Sequence, residues 1–99
     1  MAKAQHSPIY DTVPGVLRQL RETAGLTQRD IGGYLKKPQS WVYNCETGNR
    51  RVDVAEFMLW CAACGVTGEL GLARLRQESS SLNRQIQKIS QLASGTTLD

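Results

Sequence analysis

Ninety-nine residues and 11.0 kDa suit one domain rather than two, and 40% hydrophobic residues supply a small core without a large buried cavity. No apolar stretch reaches the 18 or so residues of a membrane span, and the N-terminal residues lack the apolar run of a secretory signal. Twelve Lys plus Arg against nine Asp plus Glu give +3 and a pI near 9.0, which permits a nucleic-acid partner without requiring one, and three cysteines are too few for a disulfide framework.

The elements predicted in chain order are all helical, because no Val/Ile/Thr/Tyr run alternates for more than three or four residues. Residues 1–12 read as an irregular arm broken by Pro8, with Ile9 and Tyr10 available as a short anchor. From Val13 the apolar spacing turns helical through Val16, Leu17, Leu20 and Ala24, with Thr12 as N-cap, Pro14 in the first turn and Gly25 as the stop. Thr27 caps a second helix, with Asp30 three residues on and Ile31, Tyr34 and Leu35 as its inward stripe. Gly32 and Gly33 lower its propensity by roughly 1 kcal/mol each, which predicts that another backbone comes close. The third helix takes Pro38 as N1, runs from Gln39 to Glu46, turns Val42 and Cys45 inward and ends at Thr47-Gly48-Asn49. A fourth begins near Val52 or Asp53, faces inward through Val54, Phe57, Met58, Cys61 and Cys64, and stops at Gly65.

Composition shifts after Val66. Residues 67–94 read as a helical tail for dimerisation, and 95–99 as a frayed end. Written as a heptad, Leu72, Ser79, Ile86 and Ala93 take position a, and Leu75, Leu82 and Ile89 take position d. Ser79 weakens the middle heptad, so one continuous helix and two shorter ones both remain open. Leu72, Leu75, Leu82, Ile86 and Ile89 are the expected dimer contacts, since their stripe finds no partner inside a bundle already closed by four helices.

The segment from Leu26 to Gly48, two short helices joined at Lys36-Lys37, has the shape of a helix-turn-helix. From about Leu17 to Val66 the chain resembles the Xre/Cro-type, lambda-repressor-like DNA-binding family. Leu17 to Arg21 resembles the family's first helix, Gly25-Leu26-Thr27-Gln28 the start of its second, Glu46-Thr47-Gly48 the exit from its third, and Phe57 to Val66 a later helix. The resemblance implies an all-α fold of four to five helices with a C-terminal helical extension. It also implies that Gln39, Ser40 and Asn44 face base edges, and that Glu46 pairs with Arg21 to lock the third helix to the first. Lys36 departs from the pattern, standing in the turn where the family prefers Gly, so a left-handed Lys is expected there.

The residues themselves fit that role. A helix N-terminus offers unpaired N–H groups to a phosphate, and Gln28 adds a side-chain amide. The amides of Gln39 and Asn44 suit bidentate pairing with adenine in the major groove. Between Gln28 and Arg51, five cations (Arg29, Lys36, Lys37, Arg50, Arg51) face two carboxylates, a net +3. With Asn49 and the Tyr43 hydroxyl they are the candidate phosphate contacts. Trp41 is grouped with them, its role open between lying on the sugar-phosphate wall, touching a thymine methyl and covering the corner of helices two and three. Cys61 and Cys64, at i and i+3 on an apolar face, read as core rather than as metal ligands. With Cys45 and the solitary His6 they make no plausible zinc site, and no catalytic arrangement appears. The sequence therefore predicts a non-enzymatic, cofactor-free cytoplasmic, nucleoid-associated regulator. It would repress (autoregulation included) by binding double-stranded DNA at a palindromic operator as a homodimer. The alternative is an antitoxin-type module that binds a partner protein.

Overall fold

Six helices follow one another in a computed structural model that describes residues 7–97: α1 Val13–Thr23, α2 Gln28–Leu35, α3 Gln39–Thr47, α4 Val54–Ala63, α5 Gly68–Glu78 and α6 Ser80–Thr97. His6 lies outside the described residues. No strand occurs among them, and no helix is long and apolar enough to cross a membrane.

Local chemistry sets most boundaries. Thr27 and Asp30 form a reciprocal capping box at the start of α2, and Asp53 and Glu56 form another at α4. Each box satisfies two backbone donors that a helix start otherwise leaves unpaired. Gly25, Gly48 and Gly65 take positive φ at the ends of α1, α3 and α4, a conformation that side chains with a Cβ resist. Thr12 stands at the N-cap of α1, but its side chain makes no capping bond there. Pro38 is the N-cap of α3 rather than its first helical residue, because its ψ of 157° is extended. α6 continues past Gly95 to Thr97, beyond the stop expected at Ser94, since one helical Gly costs only about 1 kcal/mol.

The core joins α1, α2, α3 and α4 through Val13, Val16, Leu17, Leu20, Ile31, Val42, Cys45, Phe57, Trp60 and Cys61. Trp60 sits at its centre, fully buried, and its indole N–H donates to the Leu17 carbonyl at 3.1 Å. The N-terminal turn anchors through Tyr10, whose hydroxyl accepts from the Val52 N–H at 3.0 Å, while Ile9 stays exposed. Tyr34, Val54 and Met58 depart from the expected inward faces and lie exposed. In each case the apolar stripe is narrower than the sequence pattern, and these residues sit on its flank.

α5 is part of the bundle, packing on α4 and α1. Gly71 is what lets it approach: a Cβ there would run into Cys61 Sγ and the Phe57 ring. Leu75, expected in a free tail, accordingly packs against the core. Ser79, buried and with φ −113° and ψ 97°, ends α5, so the heptad runs through two helices instead of one. Its Oγ accepts from the Leu82 N–H at 3.2 Å and starts α6, whose main neighbour is α5.

Candidate nucleic-acid interface

The turn between α2 and α3 depends on two positions. Lys36 closes α2 at φ 58° and ψ 47°, the left-handed region, and the Lys37 N–H then returns to the Gly32 carbonyl at 2.9 Å. This fold-back brings the Lys37 carbonyl to 2.5 Å from where a Gly32 Cβ would stand, so only glycine fits. Gly33 meets nothing within 4 Å, so the close backbone predicted for both glycines belongs to Gly32 alone.

α3 turns Val42 and Cys45 into the core and presents Gln39, Ser40 and Tyr43 to solvent, with Asn44 half-buried beside them. Arg29, Lys36, Lys37, Asn49, Arg50 and Arg51 are also exposed. Asn44, Asn49, Arg50 and Arg51 line one polar cleft at the C-terminal end of α3. The lower face of α3 is tied to α1 by a buried ion pair. Arg21 Nε donates to Glu46 Oε2 at 2.6 Å and Arg21 Nη2 to Glu46 Oε1 at 3.0 Å, while Nη1 reaches the Leu26 carbonyl at 2.9 Å. The hydrogen bonds that Arg21 donates to Glu46 are the main cause that raises the guanidinium pKa above its ordinary value. Glu46 stands in the last turn of α3, where the helix dipole disfavours a carboxylate, and Arg21 offsets this.

That pair extends outward as a relay that the sequence reading did not anticipate. Gln28 Nε2 donates to Glu46 Oε1 at 3.0 Å, and Gln39 Nε2 donates to Gln28 Oε1 at 3.2 Å. The chain of bonds leads from the core of α1 to the exposed start of α3. Asn49 Nδ2 similarly donates to Asn44 Oδ1 at 3.4 Å and Thr47 Oγ1 at 3.3 Å. Side chains of the candidate interface are therefore hydrogen-bonded to one another before any ligand arrives.

Trp41 is half-buried, with its ring centroid 6.3 Å from that of Trp60 at an interplanar angle of 41°. It thus covers the α2–α3 corner and the core beneath it. Tyr10 carries Arg51 over its ring at 4.6 Å, and burial raises its hydroxyl pKa. Of the tail residues, Leu72 and Ile89 are exposed, and Leu82 and Ile86 are half-buried. Burial pushes the Cys45 thiol up to about 12 and Cys64 up to about 11, and raises Cys61 too, so none offers a ready thiolate ligand. No group of three or more Cys, His, Asp or Glu among the described residues is arranged to hold a metal ion.

A helix-turn-helix domain family matches residues 15–75, which reaches into α5 as far as Leu75. Among solved structures, an XRE-family like protein from Pseudomonas syringae pv. tomato str. DC3000 is similar at 35% identity and a TM-score of 0.63, over 70% of this chain and 84% of that one. No match was found among curated proteins.

Proposed function

Because this chain belongs to the Xre-type helix-turn-helix family of DNA-binding regulators, we propose that it represses transcription by occupying a palindromic operator as a homodimer. The carrying observation is the exposed face of α3, where the amides of Gln39 and Asn44 and the Ser40 hydroxyl stand between cationic flanks at Lys36-Lys37 and Arg50-Arg51. Side-chain amides at these positions suit base edges in the major groove, and cations on both flanks suit the phosphates that fix a helix there. Gln28, Arg29, Tyr43 and Asn49 complete the proposed backbone contacts.

One such head covers a half-site, and a palindrome needs two heads about 34 Å apart. The stripe of Leu82, Ile86 and Ile89 on α6 is the proposed seam, with exposed Leu72 of α5 as a further proposed contact. Selection of binding sites from a random duplex library tests the reading. Recovery of an inverted repeat supports it, and recovery of no preferred sequence refutes it. Ala at Gln39 or Asn44 is expected to cost about 1–3 kcal/mol on the selected site and to relax preference at one base pair. Ile86→Asp is expected to sediment as a folded monomer that retains weak, salt-sensitive binding to any DNA.

A second reading, an antitoxin-type module for a partner protein, draws on a different feature. A groove of about 310 Å³ lies between α4 and α5, lined by Val54, Phe57, Met58, Leu72 and Leu75 with Asp53 and Glu69 at its polar margin. Apolar lining open to solvent is typical of surfaces that take a partner side chain. A wild-type chain that sediments as a monomer at micromolar concentration would favour this reading over the homodimer.

A further inference from the structure

Lys37 and Arg50 bracket α3 in the sequence, at opposite ends of the helix, yet both rest against one ring. Lys37 Nζ lies 5.3 Å from the Trp41 ring centroid and Arg50 Cζ lies 5.5 Å from it. Both distances fall inside the roughly 6 Å over which an indole attracts a cation. The ring is held in place by its contact with Trp60, which is itself fixed in the core. Arg50 has a second tether, a 3.7 Å ion pair with Glu56, and it also lines the polar cleft with Asn44, Asn49 and Arg51.

One detail argues that the indole is there for more than packing. The Trp41 N–H is buried and meets no acceptor among the described residues. A buried donor without a partner is unfavourable, and a phenyl ring would cover the same corner without one. What tryptophan adds is the strongest ring for attracting cations. Two cations held near one ring raise the local positive potential; the Glu56 carboxylate, 3.7 Å from Arg50, offsets part of it, and a further anion is attracted by what remains.

We propose that Trp41 is a positioning residue: it gathers Lys37 and Arg50 into a single two-cation seat for a phosphodiester of the DNA backbone. The two ends of α3 then share one phosphate site instead of making two separate contacts, and Trp41 itself need not touch DNA. The proposal rests on the DNA-binding reading above. Its energetic basis is preorganisation, since flexible cations already held in place lose less freedom on binding.

Two measurements on the full chain test it, with circular dichroism establishing that each variant is folded. The first uses the free protein. Ring currents should shift the side-chain methylene protons of Lys37 and Arg50 upfield in the wild type and in Trp41→Phe, but not in Trp41→Leu. Unshifted signals in the wild type overturn the proposal, whatever DNA does. The second measures duplex affinity for the wild type, Trp41→Phe and Trp41→Leu, and for Lys37→Ala/Arg50→Ala with and without Trp41→Leu. Trp41→Leu should weaken binding to every duplex by roughly tenfold, and Trp41→Phe, whose ring attracts cations less strongly, should recover only part of that loss. In the background lacking both cations, Trp41→Leu should do nothing further. An equal loss in both backgrounds means that the ring acts on DNA directly or only supports α3, and overturns the proposal; so does no loss in either. A wild-type chain that binds no duplex even at low salt overturns the regulator reading and the phosphate seat together, with the proton shifts still reporting whether the ring gathers the cations.

Discussion

Replacing Glu46 with Ala probes the joint between α3 and the rest of the bundle. The Glu46 side chain is 3% exposed and the Arg21 side chain 12%, so the pair operates largely out of water. Removing the carboxylate takes two charge-assisted bonds from Arg21 and leaves its guanidinium with the Leu26 carbonyl and a 4.0 Å approach to Glu22. Breaking a buried pair from one side costs about 3–5 kcal/mol, because an uncompensated charge stays behind. Each kcal/mol lowers the Tm of a domain this size by about 4–8 °C, so the expected fall exceeds about 12 °C. Thermal and urea unfolding followed by circular dichroism measure it. A double-mutant cycle with Arg21→Met and Glu46→Leu sharpens the test, since removing both charges should restore much of what either single change loses. A Glu46→Ala cost below about 1 kcal/mol, or single effects that simply add, would refute the argument. The same variant frees Gln28 and, through it, Gln39, so discrimination between the selected site and other duplexes, measured at a temperature where the protein is fully folded, should fall as well.

Lys36→Gly relieves a left-handed Lys and should stabilise the fold by about 1 kcal/mol, while weakening DNA binding at all sequences through the lost charge; chemical unfolding and salt titrations read the two effects separately. The cysteines carry a pH dependence. Their native pKa values are raised from an ordinary 9.0, to about 12 for Cys45 and about 11 for Cys64. The unfolded chain therefore loses its thiol protons first, and the stability these groups contribute is complete below pH 9 and lost as pH rises through 9 toward 12. Tm should decline over that range, and a variant with all three cysteines changed to Ala should show a flatter profile. At pH 8 a thiol-reactive dye should leave Cys45 and Cys61 unlabelled until denaturant is added.

Local chemistry made much of the fold legible. Thr27 with Asp30, and the stops at Gly25, Gly48 and Gly65, act within a few residues of themselves, so their spacing alone carries the meaning. Lys36 was legible as a left-handed residue through the family resemblance, which puts a Gly at that place in the turn. What the sequence concealed depends on neighbours far along the chain. Tyr34, Val54 and Met58 have inward periodicity, but period does not report how wide the covered stripe is. α5 looked like a free tail because its docking rests on an absent side chain at Gly71, and a glycine inside a helical pattern was the available signal. Trp60 was missed as the centre of the core, although a large aromatic between Phe57 and Cys61 pointed that way. The relay from Glu46 through Gln28 to Gln39 joins residues 18 and 11 positions apart, and no local pattern announces it.

If α3 reads bases as proposed, the side-chain hydrogen bonds from Gln39 to Gln28 and from Asn49 to Asn44 change what a base pair must achieve to be chosen. These side chains do not wait in water for a partner; they already have one another. On that reading a matching base edge would have to outcompete an intramolecular bond, and a mismatched one would meet amides that can stay with their internal partners. The threshold for engagement would thereby be set by the protein's own side chains. A face arranged this way would discriminate by reluctance: it slides over the wrong sequence with its hydrogen bonds still folded inward, and opens them only where the DNA offers a better set.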